Sequence, residues 1–133
     1  MNHTLFIRTA SRWNIPRDLA LAVITRDDRC IYCRRVFGGS LRSRADCPSW
    51  EHIVNDESLV SAENIALSCV GCNASKGTKP LEKWLKSRYC EERGITSNSI
   101  AAVALNALGE VATETTALNP QTASAPARFP PSE

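Results

Sequence analysis

Two Cys-x-x-Cys pairs constrain this chain more strongly than any other feature of its sequence. The first pair is Cys30 and Cys33, and the second is Cys69 and Cys72. Two residues between thiolates let both sulfurs of a pair point at one tetrahedral ion, so the pairs together predict a structural zinc site with four cysteine ligands. The 35 residues between the pairs exceed the about 15–20 that are usual in zinc ribbons. A redox dithiol is the alternative, but two matched pairs do not resemble a thioredoxin-like pattern.

The length of 133 residues favours one domain with a modest core. Such a domain gains from a structural zinc, which can contribute about 10 kcal/mol or more to folding. The sequence has no apolar run of about 18–20 residues that could span a membrane, and its start, MNHTLFIRTASRW, has no signal-peptide pattern. We therefore expect a cytoplasmic protein in a reducing interior, where cysteines are metal ligands or free thiols. Outside the pairs, Cys90 is expected to be a small core residue, and Cys47 has no assignment.

Hydrophobic periodicity and turn residues predict an α+β fold. The predicted elements, in chain order, are a helix over 15–27, a cysteine turn over 29–35, an antiparallel hairpin with strands over 50–54 and 64–68, a short helix from about 70 to 77, an amphipathic helix over 79–94 and a helix over 99–108. From Gly109 onward the sequence is rich in Thr, Ala, Ser and Pro and cannot bury enough apolar surface to offset the entropy of ordering. We therefore predict an N-terminal segment over 1–14, a folded domain over 15–108 and a disordered tail over 109–133.

Three segments between and beyond the cysteine pairs carry further polar residues in a distinctive order. They are EHI with Glu51 and His52, ENIALSC with Asn64, and CVGCNASKG with Asn73. In this order and spacing they resemble an HNH endonuclease of the zinc-stapled kind. The resemblance covers about residues 28–80, and the preceding TRDDRCIYC is similar as well. It implies a small ββα-metal (His-Me finger) module with flanking helices, in which a structural zinc held by four cysteines clamps the helix onto the hairpin.

The chemistry that the resemblance implies is phosphodiester hydrolysis. This reaction needs an activated water, neutralisation of charge in the transition state and stabilisation of the leaving alkoxide. A hard divalent cation supplies the last two, and a near-neutral imidazole can take the proton of the water. The resemblance implies His52 as the general base, Glu51 and Asn73 as ligands of a catalytic Mg²⁺ or Mn²⁺, and Asn64 as a brace of the hairpin loop. Adjacent strand residues point to opposite faces, so Glu51 and His52 both reach the phosphate only if the strand ends in a bend or bulge.

The match to the family pattern is incomplete. Family members often have Asp at the position of Glu51, His at the position of Asn73 and a proline soon after the first His, where this chain reads HIVND. These changes keep a hard-cation site possible but leave the metal open between Mg²⁺ and Mn²⁺, and an inactive copy stays an alternative. Each residue also has a structural alternative: His52 as an ordinary sheet histidine, Asn64 as a turn residue and Asn73 as a helix cap.

Charge is distributed unevenly along the chain. Residues 1–94 have 15 Lys and Arg against 11 Asp and Glu, whereas residues 95–133 have 1 against 3. Two basic stretches, 29–44 and 76–88, suit a phosphate backbone, with solvated helix and loop faces as the alternative interpretation. The candidate nucleic-acid contacts are Arg34, Arg35, Arg42, Arg44, Lys76 and Lys79.

Together these patterns predict a metal-dependent DNA endonuclease with little sequence preference; they leave open whether the target is duplex, branched or single-stranded DNA, or RNA. The alternative is a non-catalytic zinc module that binds nucleic acid or a protein partner. That module needs the same cysteines and basic stretches but not Glu51, His52 or Asn73.

Overall fold

A computed structural model of the chain describes residues 3–37 and 43–116. The elements in these ranges are α1 (His3–Ala10), α2 (Arg17–Arg26), β1 (Pro48–His52), β2 (Ile65–Cys69), α3 (Val70–Lys76), α4 (Leu81–Trp84), α5 (Arg88–Arg93) and α6 (Ala102–Thr116), with 3₁₀ turns at Ser11–Trp13 and Arg44–Asp46. The predicted α+β class is confirmed: a two-stranded antiparallel sheet is combined with helices. The helices predicted over 15–27 and 99–108 correspond to α2 and α6. Among the described helices, none combines the length and apolar character needed to cross a membrane.

The two strands form a regular hairpin. β1 pairs with β2 in a continuous antiparallel register from Pro48 opposite Cys69 to His52 opposite Ile65. All five residues of β2 are buried, because α2 and α3 both pack against this strand. The predicted hairpin is confirmed, with its strands displaced by one or two residues from the expected positions.

Helix α3 follows β2 without a loop and packs against both strands. The N–H of Cys72 donates to Sγ of Cys69, so a sulfur atom caps the N-terminus of the helix. Gly77 ends the helix with a φ of 53°, in the region that favours glycine. The predicted short helix ending at Gly77 is confirmed, and it places the second cysteine pair at the junction of strand and helix.

Arg26 and Asp27, at the end of α2, tie this helix to β2. The Asp27 carboxylate pairs with Arg26 at 2.7 Å and accepts the Leu67 N–H at 3.0 Å. Arg26 also donates to the carbonyl oxygens of Ala62 and Ile65. Asp27 is buried, and these partners supply the compensation that a buried carboxylate requires. These contacts of Arg26 and Asp27 fix the path of the chain into the first cysteine pair.

The segment predicted as one helix over 79–94 forms two short helices, α4 and α5. Ser87 separates them: its extended backbone leaves the helix, and its hydroxyl accepts the Cys90 N–H at the start of α5. Serine favours such capping because its side chain competes with the helical hydrogen bonds of the backbone. The amphipathic spacing nevertheless holds, since Leu81, Trp84 and Cys90 all lie in the core.

Helical segments lie on both sides of the predicted domain over 15–108. Upstream of the expected start, α1 places Ile7 and Ala10 in the core. Downstream, α6 continues to Thr116, past the expected start of the tail, because a nucleated helix extends at little cost per residue. The rest of the predicted tail, residues 117–133, lies outside the described residues.

Candidate functional site

The first candidate site is a four-cysteine cluster. Cys30, Cys33, Cys69 and Cys72 bring their sulfur atoms within 4.8 Å of one another, and Sγ of Cys33 lies 3.8 Å from Sγ of Cys69. Four clustered thiols are the donor set of a tetrahedral structural zinc site. The predicted grouping is confirmed, because the four cysteines are positioned to bind a metal ion such as zinc.

Backbone N–H groups aim at two of the sulfurs. Those of Tyr32 and Cys33 each lie 3.4 Å from Sγ of Cys30, and that of Cys72 lies 3.4 Å from Sγ of Cys69. Hydrogen bonds of this kind favour the thiolate, which is the form that binds metal. Among these cysteines, the hydrogen bond with Cys30 lowers the pKa of Cys69 to about 7, whereas the hydrogen bonds with Cys33 and Cys69 raise the pKa of Cys30.

The other two cysteines lie outside the cluster. Cys90 is fully buried among core residues, which confirms its assignment as a small core residue. Cys47 is half-buried, and its thiol donates to the carbonyl oxygen of Ser43 at 3.7 Å. Neither contributes a sulfur atom to the cluster.

Glu51 lies in a buried charged network on the inner side of β1. Its Oε2 accepts the hydroxyl of Tyr32 at 2.7 Å and pairs with Nζ of Lys76 at 3.1 Å. The same Nζ donates to the carbonyl oxygen of Ile53 at 2.9 Å. Burial raises the pKa of Glu51, and the charge of Lys76 opposes that rise. Burial, followed by the charge of Glu51, raises the pKa of Tyr32, which keeps this hydroxyl a donor.

Lys76 was predicted as a nucleic-acid contact, and the structure corrects this. Its side chain is 1% exposed, because the inner face of α3 turns toward β1 and the buried carboxylate of Glu51 needs a counter-charge. The candidates that reach the surface, fully or in part, are Arg34, Arg35, Arg44 and Lys79. Arg35 pairs with Asp46 at 3.1 Å. Arg42 lies outside the described residues.

His52 has different neighbours from Glu51. Its ring lies against Trp13, with centroids 5.8 Å apart at 64°; on the same face of β1, Trp50 stacks on Phe6. No bulge interrupts the strand, because the ladder stays regular through His52; a bend begins at Ile53, directly after the strand end. The alternation of strand side chains therefore separates His52 from Glu51, as it does in any regular strand.

The imidazole of His52 is held in its neutral form. Nε2 is buried and has no hydrogen-bond partner among the described residues. Burial lowers the pKa of His52, against the opposing charges of Glu57 and Asp56. A neutral imidazole with an unpartnered nitrogen is able to accept a proton near neutral pH.

Asn64 spans the hairpin loop. Its Oδ1 accepts the Val54 N–H at 2.7 Å, and its Nδ2 donates to the carbonyl oxygens of Val54 and Leu59, both at 3.1 Å. These three hydrogen bonds fix the chain directly after His52, which is where a brace of the loop is expected to act.

Asn73 is oriented by β1. Its Nδ2 donates to Oγ of Ser49 at 2.9 Å and to the carbonyl oxygen of Trp50 at 3.0 Å. Because a carbonyl oxygen can only accept, this contact fixes which end of the amide is the nitrogen. The amide is thus not a helix cap, and its oxygen points away from these two partners.

A second candidate site, for a divalent cation, depends on two oxygen atoms. Within the described residues, Oε1 of Glu51 and Oδ1 of Asn73 accept no hydrogen bond. Both are hard donors of the type that Mg²⁺ and Mn²⁺ prefer, so the residues fit such an ion in donor chemistry. They do not form a complete cage. Within residues 3–37 and 43–116, the only group of three or more His, Cys, Asp or Glu side chains whose ligand atoms lie close together is the cysteine cluster. Water and phosphate oxygens would have to complete the coordination.

Comparison of the chain with protein-family models, with curated proteins and with solved structures finds no significant match. The function must therefore be argued from the site.

Sequence reasoning missed three aromatic side chains at these sites. Trp13 lies against His52, Tyr32 donates to Glu51, and the hydroxyl of Tyr89 lies 3.4 Å from Sγ of Cys72. Tyr32 stands between two cysteines, so its position was a signal that it lies near the cluster. The direction in which its ring points depends on the tertiary fold and leaves no pattern in the sequence.

Proposed function

We propose that this chain is a metal-dependent endonuclease of the HNH type, which hydrolyses phosphodiester bonds in DNA. The observation that supports the proposal most directly is Nε2 of His52, which is buried and unpartnered among the described residues. This nitrogen lies at the end of β1, next in sequence to Glu51. The hairpin and α3 bring Glu51 and Asn73 to neighbouring positions along β1.

In this proposal His52 acts as the general base and reaches the phosphate from the face of β1 opposite to Glu51, around the strand end, where the chain bends at Ile53. Its neutral imidazole takes the proton of the attacking water at Nε2, which leaves the other ring nitrogen as the N–H donor. The ring of Trp13 lies against the imidazole at an interplanar angle of 64° and contributes to its orientation. Asn64 holds the loop that follows, so that His52 stays at the end of a regular strand.

Glu51 and Asn73 would hold Mg²⁺ or Mn²⁺. When bound, that cation neutralises charge on the phosphate and on the leaving oxygen. The chain's own contribution is to fix both ligands: Tyr32 and Lys76 orient the Glu51 carboxylate through Oε2, and β1 orients the Asn73 amide. The cysteine cluster, with a structural zinc, clamps α3 to the hairpin and takes no part in the chemistry.

The exposed cations supply the contacts to nucleic acid. Arg44 and Lys79 are exposed, and Arg34 is partly exposed; such side chains position a phosphate backbone without reading its sequence. Binding is therefore expected to weaken steeply as the salt concentration rises.

The test is cleavage of supercoiled plasmid with Mg²⁺, with Mn²⁺ or with EDTA. We expect metal-dependent relaxation that falls by about 10²-fold or more in His52→Ala and is retained in His3→Ala, which alters the chain's other histidine. Because the pKa of His52 is lowered from 6.5, the activity of the parent should persist to a lower pH than an ordinary histidine base allows. Equal cleavage by His52→Ala and the parent would refute the proposal.

One observation favours the alternative, a non-catalytic zinc module that binds nucleic acid. The charge of Glu51 is already neutralised by Lys76 at 3.1 Å, so this carboxylate has a structural partner without any cation. The alternative predicts that the zinc-loaded chain binds a labelled duplex in fluorescence anisotropy, with the same affinity in His52→Ala, while neither protein cleaves it with any divalent metal.

A further inference from the structure

The sulfur atoms of the cluster receive their hydrogen bonds from different kinds of donor. Cys30 and Cys69 accept them from backbone N–H groups within the two cysteine turns. Cys72 accepts one from a side chain, the hydroxyl of Tyr89, at 3.4 Å. Tyr89 belongs to α5, which lies beyond the segment that carries the cysteine pairs, so this contact joins a separate helix to the cluster.

Two side chains lie close to the ring of Tyr89, and the buried one, Trp84, fixes it against α3. The guanidinium of Arg93 lies 3.7 Å from the ring centroid on one face, and the ring of Trp84 packs nearby with its centroid 5.9 Å away. Trp84 is fully buried and donates from its indole nitrogen to Ser75 on α3. The aromatic pair is therefore fixed against the same helix that carries Cys72.

The second cysteine pair leaves room for this hydroxyl. Gly71 stands between Cys69 and Cys72, and a Cβ atom at Gly71 would lie 3.3 Å from the Tyr89 oxygen. That distance is tighter than ordinary van der Waals contact, so a larger residue would press on the hydroxyl. The backbone of Gly71 is helical within α3, so the glycine is explained by this close approach and not by a need for unusual torsion angles.

We propose that Tyr89 is a positioning residue of the metal centre, which donates a hydrogen bond to the Cys72 thiolate and so stabilises the zinc-bound state. Four thiolates around one divalent ion leave a net negative charge, and each donor to a sulfur reduces the cost of holding that charge. Partners of metal ligands typically contribute about 10- to 100-fold to metal affinity. This role holds whether or not the chain is a nuclease.

The test compares Tyr89→Phe with Arg93→Gln. Tyr89→Phe removes the hydroxyl and keeps the ring, whereas Arg93→Gln removes the cation above the ring and keeps the hydroxyl. We expect zinc affinity, measured by competition with a chromophoric chelator, to fall about tenfold in Tyr89→Phe and to be unchanged in Arg93→Gln. In the cobalt-substituted chain, loss of the hydrogen bond makes the Cys72 sulfur a stronger electron donor. The sulfur-to-cobalt charge-transfer band should therefore move to longer wavelength in Tyr89→Phe alone.

A second variant keeps the test decisive if Tyr89→Phe folds poorly. Gly71→Ala retains the hydroxyl but disturbs its contact with the sulfur, because the new Cβ would lie 3.3 Å from the Tyr89 oxygen and this side chain must give by a few tenths of an ångström. It should shift the charge-transfer band in the same direction as Tyr89→Phe. Unchanged spectra and affinities in both variants would overturn the proposal. So would an equal loss of affinity in Arg93→Gln, since that would assign the effect to the packing of α5.

Discussion

Replacing Lys76 with methionine tests the buried network that holds Glu51. Nζ of Lys76 lies 3.1 Å from Oε2 of Glu51, and the two side chains are 1% and 5% exposed. Methionine keeps an apolar stem but removes the charge, which leaves the carboxylate with the hydroxyl of Tyr32 as its partner. Removing one member of a buried ion pair costs about 3–5 kcal/mol. At about 4–8 °C per kcal/mol for a small domain, the Tm should fall by more than about 10 °C.

The loss of stability should depend on pH in a defined direction. Burial raises the pKa of Glu51 above its ordinary value of 4.5, and Lys76 opposes this rise. Without Lys76 the pKa in the folded state rises further, so the folded variant keeps a proton that the unfolded chain has released. A pKa that is raised in the folded state stabilises the protein at pH values below the pKa of the unfolded chain. This stabilisation is lost as the pH rises through the pKa of the folded state. The penalty of Lys76→Met should therefore be larger at about pH 8 than at about pH 5.

The assay is urea unfolding of the zinc-loaded chain, followed by tryptophan fluorescence at both pH values. Lys79→Met is the matched control, because Lys79 is exposed and its substitution should change stability by less than about 0.5 kcal/mol. A double-mutant cycle with Glu51→Gln should give a coupling energy of about 1–3 kcal/mol. A penalty below about 1 kcal/mol, a coupling near zero or equal penalties at the two pH values would show that Lys76 does not stabilise the fold through the charge of Glu51.

Two further predictions concern the cluster and the hairpin loop. Cys72→Ser should lose stoichiometric zinc, whereas Cys47→Ser should keep it, because Cys47 lies outside the cluster. Zinc content is measured by metal analysis after dialysis, and equal content in the two variants would contradict the ligand set. Asn64→Ala removes three hydrogen bonds to the loop. It should lower the free energy of unfolding in urea by about 2–3 kcal/mol and speed hydrogen exchange at the Val54 amide. A decrease below about 0.5 kcal/mol would show that the loop does not depend on this side chain.

The features that the sequence predicted correctly are those set by local spacing. Two intervening residues place the sulfurs of Cys30 and Cys33 side by side, and short apolar runs separated by a polar loop form the hairpin. The features it missed depend on how elements pack. The basic stretch around Lys76 predicts an exposed face, but the helical geometry of α3 directs the Lys76 side chain toward Glu51. Amphipathic spacing over 79–94 is the same for one helix or two, and the break depends on the capping hydroxyl of Ser87.

Helix α3 shows why the two candidate sites depend on each other. It has seven residues, fewer than the about 12–15 that an isolated helix needs to persist in water. Its position must therefore come from tertiary contacts: it packs against both strands, Cys72 joins the cluster, and Lys76 pairs with Glu51 at its C-terminal end. Asn73 follows Cys72 directly, so the position of its backbone depends on the cluster and on the ion pair one turn further along, while β1 orients its amide. A metal that takes no part in the chemistry can thus still decide where the proposed ligand points, because the helix that carries the ligand has too little stability of its own.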